Sequence, residues 1–174
     1  SHPEWLVERW VRRYGQESTE AWMRFNNTPG AACIRVNALR TTRDALAAQL
    51  DAEGVQTRPC LHAPDGLVVV AGDVTATTAW QRGWCLIQEE ASQLVPDVLG
   101  VQPGDRVLDL CAAPGGKTAT LAADSGPAGL VVACDIRARR MRVLADTLAR
   151  VGASRAVCVQ VPGTGALPFL RGYD

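Results

Sequence analysis

The sequence has almost no lysine, few histidines and no closely spaced pair of cysteines. Of its 18 basic residues, 17 are Arg and one is Lys. None of the six Cys forms a Cys-x-x-Cys pair and only two His are present, so the spacing of a zinc site is missing and no metal is predicted. No apolar run approaches the roughly 20 residues that span a bilayer, which predicts a chain without a membrane segment.

The chain also lacks an initial Met, a signal peptide and any net charge. Its first residues show neither a basic start nor an apolar core, so we expect a cytoplasmic location, and the missing Met predicts a piece of a longer protein. Basic and acidic residues balance at 18 each, which gives no global field that would point to nucleic acid. With 47% hydrophobic and 21% charged residues, the composition is that of a soluble globular domain.

Basic residues are nevertheless concentrated in two places. Residues 1–43 hold seven Arg against four acids, and a second group follows later in the chain. This second group consists of Arg137, Arg139, Arg140 and Arg142. Each concentration is compatible with a solvated helix face or with a surface for a polyanion, and the sequence leaves both interpretations open.

The first half of the chain predicts two helices followed by a small α+β layer. Its order of elements resembles most of a split β-α-β fold of the RRM or ferredoxin-like type. The aromatic pattern of an RNA-reading sheet is missing, so we expect the layer to position the rest of the protein. The predicted elements are helices over 4–14 and 18–25, strands over 32–37, 55–60 and 67–71, and a helix from a cap at Thr41 to Gly54.

The second half alternates between apolar strands and amphipathic helices. Repeated βα units of this kind predict a parallel sheet with right-handed crossovers, here a partial Rossmann-like α/β sheet. The resulting domains are an N-terminal helical segment (1–30), a positioning subdomain (31–86) and the Rossmann-like half (87–174). The predicted elements are helices over 89–99, 117–123 and 137–151, and strands over 106–110, 130–134 and 156–161.

The segment 106–118 carries the chemistry that the sequence predicts. An apolar strand ends at Asp109, small residues follow, and Gly115-Gly116 opens a helix. Small residues let the main chain approach a ligand, amides at a helix start can face a carboxylate, and Asp109 can hold an ammonium group. Asp135 ends the next strand, where an acid is suited to accept hydrogen bonds from ribose hydroxyls.

Two other nucleotide sites share part of this pattern. Gly116-Lys117-Thr118 resembles the end of a P-loop, but that motif needs a Gly where Cys111 stands. A dinucleotide fingerprint needs Gly-x-Gly-x-x-Gly, whereas the glycines here are adjacent. Both alternatives are therefore disfavoured.

The stretch Asp-Leu-Cys-Ala-Ala-Pro-Gly-Gly-Lys-Thr, residues 109–118, resembles motif I of the Sun/Fmu (RsmB-like) family of ribosomal-RNA cytosine-5 methyltransferases. Three further stretches, at residues 1–7, 35–37 and 88–94, resemble the family's N-terminal extension and the segment before its catalytic domain. The resemblance implies S-adenosylmethionine as cofactor and ribosomal RNA as partner. By resemblance, the cofactor-binding residues are Asp109, Cys111, Ala112, Ala113, Pro114, Gly115, Gly116, Lys117, Asp135 and Arg140.

Lys117 is the one Lys in an Arg-rich chain, at a place where Arg does not substitute for it. By resemblance, its compact ammonium group has a supporting catalytic role and steadies the target cytosine. The alternative, that Lys117 only caps nearby carbonyls, stays open.

The sequence departs from the family at the catalytic cysteine. In the family this Cys follows a Pro on the loop after strand four, attacks C6 of cytosine and makes C5 nucleophilic. Here residues 171–174 resemble the entry to strand four, so neither catalytic nor product-releasing Cys is present and the chain alone is predicted to be inactive. Pro59-Cys60 lies upstream of motif I and is not expected to replace it. A non-catalytic module that binds RNA or protein is the alternative function.

Two further expectations follow from the same comparison. By resemblance, Pro162 stands where the family has an Asp near the end of strand three. Pro has no side-chain acceptor, so we expect weaker or altered adenine binding. A sheet with three of about seven strands exposes an edge, which predicts a homodimer, a swapped assembly or marginal stability.

Cys33, Cys85, Cys134 and Cys158 lie in apolar stretches and are predicted to be buried, reduced thiols.

Overall fold

The structure is a computed structural model that describes residues 2–28, 30–169 and 172–174. Its contacts divide the chain into two compact units, Ser1–Ala31 and Ala32–Asp174. Every helix within the described ranges is too short or too polar to span a lipid bilayer.

The first unit consists of two helices, α1 (Glu4–Tyr14) and α2 (Gln16–Asn27). The bounds of α1 are those predicted, and Gly15 ends it at a φ of +80°. Helix α2 begins two residues before the predicted start, because Gly15 also serves as its N-cap. Thr19 is buried and donates a hydrogen bond from its hydroxyl to the Gly15 carbonyl (2.8 Å).

The second unit begins with a four-stranded antiparallel sheet in the order β2-β3-β1-β4. This order is that of a split β-α-β layer, as the sequence predicts. The sequence did not predict β4 and α4, because elements of three and four residues are too short to show a period. The elements are β1 (Cys33–Val36), α3 (Arg43–Ala52), β2 (Gln56–Pro59), β3 (Gly66–Ala71), a 3-10 turn (Val74–Ala76), α4 (Thr78–Gln81) and β4 (Cys85–Ile87).

The start of α3 differs by one residue from the prediction. Thr42, not Thr41, is the N-cap, and its hydroxyl accepts a hydrogen bond from the Ala45 amide (3.3 Å). A cap must stand three residues before the amide that it satisfies, which places the helix start at Arg43. Leu46 and Leu50 fill the core of this layer, as their spacing predicts.

Glu53 ties the end of α3 to the start of α4. Its carboxylate accepts hydrogen bonds from the Gln49 side chain (2.7 Å) and from the amide and hydroxyl of Thr78 (2.6 and 2.7 Å). These bonds lower the pKa of Glu53 to about 2, from an ordinary 4.5.

Replacing Glu53 by Gln is therefore expected to reduce stability in a pH-dependent way. A lowered folded-state pKa stabilises the fold above pH 4.5, and this contribution is lost as the pH falls towards 2. Urea unfolding of wild type and Glu53→Gln should show a gap that is full at neutral pH and closes over that range. Asp51→Asn, on the exposed side of α3, is the control. A gap that is independent of pH would contradict the assignment.

A three-stranded parallel sheet in the order β5-β6-β7 follows, and it confirms the predicted Rossmann-like half. One face of this sheet packs on the helices through Val107, Val131, Leu144 and Leu148, which are all buried. Thus α7 buries the face that its spacing predicts. The elements are α5 (Glu90–Leu99), β5 (Arg106–Asp109), α6 (Gly116–Asp124), β6 (Leu130–Asp135), α7 (Ala138–Val151) and β7 (Ala156–Gln160).

The burial of the cysteines corrects one prediction. Cys33, Cys85 and Cys134 are buried as expected, but Cys158 is exposed. Cys158 lies on β7, which within the described part of the chain has a hydrogen-bonded neighbour on one side only, so part of the apolar surface of β7 is left uncovered.

The last described residues lie beside β5. The Asp174 amide donates to the Arg106 carbonyl (3.0 Å), and the Asp174 carboxylate accepts from the Arg106 amide (3.0 Å). Residues 172–174 form no strand, and Arg171, also assigned to the entry of strand four, lies outside the described residues. Self-association through the sheet edge stays a prediction.

Candidate functional site

The loop between β5 and α6 crosses the carboxyl end of the parallel sheet. The Ala112 amide donates to the Cys134 carbonyl (2.8 Å), and the Gly115 amide donates to the Ala112 carbonyl (2.7 Å). The peptide bond between Ala113 and Pro114 is cis. These bonds fold the loop over the end of β6, so its main chain lies next to the end of a neighbouring strand.

Asp109 braces the two ends of this loop. One carboxylate oxygen accepts a hydrogen bond from the Cys111 amide (3.3 Å), and the other accepts from the hydroxyl of Thr118 (2.8 Å), which is fully buried. Both oxygens therefore bond to the protein itself. Asp109 shapes the loop whether or not it also meets an ammonium group.

The two glycines of the loop are required for different reasons. Gly115 has a φ of +109°, which L side chains rarely adopt, and a Cβ there would stand 3.1 Å from Leu144. A Cβ on Gly116 would stand 3.3 Å from the side chain of Gln88. The main chain at the start of α6 is thus closely packed, against α7 at Gly115 and against Gln88 at Gly116.

Asp135 is a buried carboxylate at the end of β6. One oxygen accepts from the Arg137 amide (3.2 Å), and the other pairs with the Arg140 guanidinium (3.3 Å). Arg140 also donates to the Ala113 carbonyl (2.5 Å), and its side chain is half exposed. Arg140 therefore joins the acid of β6 to the loop after β5.

The register of the sheet brings Asp109 and Asp135 to the same face. Asp109 pairs with Ala133, and Asp135 follows Ala133 by two residues. Side chains two residues apart on a strand share a face, so both carboxylates project from the side on which α6 and α7 pack. The loop and the two acids thus meet at one edge of the sheet, with Asp109 bonded to both ends of the loop and Asp135 joined to it through Arg140.

The predicted residues of the loop differ in exposure. Ala112, Ala113 and Gly115 are buried, and Gly116 is partly buried. Cys111, Pro114 and Lys117 are exposed, and Lys117 has no hydrogen bond or ion pair to another described residue. The ammonium group of Lys117 is thus open to a ligand, and its capping of local carbonyls finds no support in the described residues.

Gln88 belongs to this site but was not predicted as a site residue. It precedes α5, is 8% exposed and lies against Gly116. Its side-chain amide donates to the Ser92 carbonyl (3.2 Å), while its side-chain oxygen is buried without a described partner. Buried polar atoms are usually hydrogen-bonded, so this acceptor marks a place for a donor. No sequence period signals Gln88, because its position depends on packing against a loop 28 residues later.

The described residues favour neither a nucleophilic thiol at Cys60 nor a metal site. Burial, followed by the neighbouring Cys33 and Glu90, raises the pKa of the Cys60 thiol to about 11, so this thiol is protonated near neutral pH. A protonated, buried thiol is not a nucleophile, as expected for Pro59-Cys60. Within the described residues, no group of three or more His, Cys, Asp or Glu side chains is placed to hold a metal ion.

Two protein-family models match this chain. "Methyltr_RsmF/B-like, ferredoxin-like domain" matches residues 2–75, and "16S rRNA methyltransferase RsmB/F" matches residues 96–168. Curated relatives include the probable ribosomal RNA small subunit methyltransferase B of Bacillus subtilis, 35% identical over 87% of this chain and 34% of the relative. The ribosomal RNA small subunit methyltransferase B of Pseudomonas putida is 38% identical over 87% and 35%. The chain thus spans about a third of the length of these relatives.

Solved structures agree with the fold. A methyltransferase homolog protein from Pyrococcus horikoshii superposes with a TM-score of 0.80 at 27% identity, over 93% of this chain and 53% of that one. NSun6 from Pyrococcus horikoshii with SFG superposes with a TM-score of 0.84 over 91% and 65%. At 18% identity, the superposition on NSun6 supports the fold alone.

Proposed function

Because this chain belongs to the RsmB/F family of 16S rRNA methyltransferases, we propose that it forms the part of such an enzyme that binds S-adenosylmethionine. The observation that carries the proposal is the carboxyl edge of the parallel sheet, where the loop of residues 111–117 lies over the end of β6 and is joined to the Asp135 carboxylate through Arg140. Main-chain amides at the start of α6 suit the carboxylate of an amino acid, and a buried acid suits ribose hydroxyls.

The residues of the site fit this cofactor. Gly116 lets the main chain pack against Gln88, whose buried, unpartnered side-chain oxygen is an acceptor next to the loop that could pair with an ammonium group. Asp135 would accept hydrogen bonds from the ribose hydroxyls while it also pairs with Arg140. When bound, S-adenosylmethionine supplies an activated methyl group. The chain's own part is to bind and orient it.

We further propose that the methyl acceptor is C5 of a cytosine in ribosomal RNA. In this reaction a thiolate must add to C6 of the base before C5 can take the methyl group. Cys60 is buried and protonated, so it does not supply that thiolate. Lys117 is exposed at the loop, and we assign to it the role of steadying the base. We therefore expect the 174-residue chain by itself to bind the cofactor without transferring its methyl group.

A calorimetric titration of the chain tests this proposal. S-adenosylmethionine is expected to bind with a stoichiometry of one, and ATP is not, because the loop lacks the first Gly of a P-loop. Incubation with tritiated S-adenosylmethionine and ribosomal RNA should leave the RNA unlabelled. Binding of RNA without any binding of the cofactor would favour the non-catalytic module instead.

Pro162 gives a second, gain-of-function test. It follows β7 two residues after Gln160 and is exposed, where the family resemblance places an Asp beside the adenine. Pro162→Asp is expected to tighten S-adenosylmethionine binding by about tenfold, because the free energy of one good hydrogen bond corresponds to a change in affinity of that size. Pro168→Asp, an exposed substitution later in the chain, is the control. An unchanged dissociation constant for Pro162→Asp would mean that this position does not face the adenine.

A further inference from the structure

Strand β1 has two faces with different chemistry. Ile34 and Val36 point into the core of the four-stranded sheet. Arg35 and Asn37 lie on the opposite face, yet they are only 7% and 8% exposed. Buried polar side chains are costly unless they are hydrogen-bonded, so these two must have specific partners.

Asn37 finds its partners at the carboxyl end of α7. Its side-chain amide donates to the carbonyls of Val151 and Gly83, both at 2.8 Å. Its side-chain oxygen accepts from the Leu39 amide (3.1 Å), so every polar atom of the side chain is satisfied. The last carbonyls of a helix have no partner within the helix, and Asn37 supplies one from the other sheet.

Arg150 makes the reciprocal contact from α7. Its guanidinium donates to the carbonyls of Trp80 (2.9 Å) and Cys85 (3.1 Å), and it lies 3.8 Å from the centre of the Trp80 ring. Gly83 closes the contact, because a Cβ there would stand 2.1 Å from the Arg150 carbonyl. The end of α7 is thus held in a socket formed by the end of β1 and the turn between α4 and β4.

Arg35 fixes a second element of the methyltransferase half. Its guanidinium donates to the Gln93 carbonyl within α5 (2.7 Å) and pairs with Asp65 and Asp97 at 3.5 and 3.6 Å. Arg35 on β1 and Asn37 directly after it therefore contact α5 and α7, respectively.

We propose that Asn37 and Arg150 are positioning residues for the cofactor site, an inference that rests on the proposed function. Helix α7 has 14 residues and is roughly 21 Å long, and it carries the socket contacts at one end and Arg140 at the other. A helix moves largely as a rod, so releasing its carboxyl end changes the tilt of its amino end. The socket thereby sets where Arg140 meets Asp135 and the Ala113 carbonyl.

The test compares Asn37→Ala with Thr42→Ala in the 174-residue chain. Thr42 caps α3 in the same layer, and Thr42→Ala removes the hydrogen bond from the Ala45 amide without touching α7. We expect Asn37→Ala to raise amide hydrogen exchange in residues 135–142 by about tenfold and the dissociation constant for S-adenosylmethionine by a similar factor. Thr42→Ala should change neither by more than about twofold.

Arg150 provides the second pair of variants. Arg150→Lys keeps a cation that can donate to the Trp80 and Cys85 carbonyls, whereas Arg150→Met keeps only the stem. We expect exchange in residues 135–142 to rise in the order wild type, Arg150→Lys, Arg150→Met. These variants decide the question if Asn37→Ala fails to fold.

The outcomes separate the two proposals. If the wild-type chain binds no S-adenosylmethionine, the proposed function fails, while the exchange measurements still decide whether the socket positions the amino end of α7. If exchange at residues 135–142 is unchanged, or rises equally in Thr42→Ala, the positioning role is wrong even though the chain binds its cofactor.

Discussion

Replacing Asp135 by Asn is expected to weaken binding of S-adenosylmethionine to this chain by about 100-fold. The substitution keeps the shape of the side chain but removes its charge and one acceptor. Two hydrogen bonds from ribose hydroxyls to a charged acceptor are worth about 3 kcal/mol together, which corresponds to about 100-fold in affinity. Arg140 also loses its ionic partner and is left to the Ala113 carbonyl alone.

The matched control is Asp146→Asn, which removes the same charge from the exposed side of α7. Calorimetry on both variants and on wild type gives the comparison, with thermal unfolding to establish that each is folded. Asp146→Asn should bind within about twofold of wild type, because a surface charge remote from a site contributes little. Equal affinities for wild type and Asp135→Asn would place the ribose elsewhere and remove the basis for the cofactor assignment.

Replacing Gly115 by Ala is expected to reduce the free energy of unfolding by about 2–5 kcal/mol. A left-handed backbone costs an L residue about 1–2 kcal/mol, and filling a packed site typically costs a further 1–3 kcal/mol. Both costs apply here, because φ is +109° and the added Cβ would stand 3.1 Å from Leu144 and 3.3 Å from Thr147. If the loop shifts to relieve the contact, the Ala112–Gly115 turn opens and cofactor binding falls with stability.

Gly100→Ala separates the two costs. Gly100 follows α5 at a φ of +68°, and no heavy atom lies within 4 Å of a Cβ built there. Gly100→Ala should therefore show the backbone cost alone, about 1–2 kcal/mol, with cofactor affinity unchanged. Urea unfolding of the two variants gives the difference. A loss at Gly115 no larger than that at Gly100 would show that the space behind the loop is not tightly packed.

The long elements were predictable because each one carries its own period. The spacing of Leu144 and Leu148 identified the buried face of α7, and the apolar runs at 106–110 and 130–134 identified two strands of the parallel sheet. The small-residue loop and the acid that ends β6 were also visible, since a change from apolar strand to glycine and then to helix is a local signal. Helix ends were predicted less exactly. The cap of α3 is Thr42 and not its neighbour Thr41, because the hydroxyl of Thr42 is the one that accepts from the Ala45 amide.

Short elements and unpaired edges were not predictable in this way. Helix α4 and strand β4 are too brief to show a period, so the fourth strand of the small sheet was missed. The exposure of Cys158 was missed because it depends on which strands flank β7, and an apolar sequence looks the same at the edge and in the centre of a sheet.

The sequence by itself determined the class of fold, the loop after β5, and the acids Asp109 and Asp135, because each is signalled by residues that are close together along the chain. Only the tertiary structure decided how Arg140 joins Asp135 to Ala113, how Gln88 reaches Gly116, and how Asn37 meets Val151, 114 residues away. Those contacts depend on the path of the chain between them. The partners of the buried Asn37 amide can therefore be identified only from the way in which the two sheets and their helices pack together.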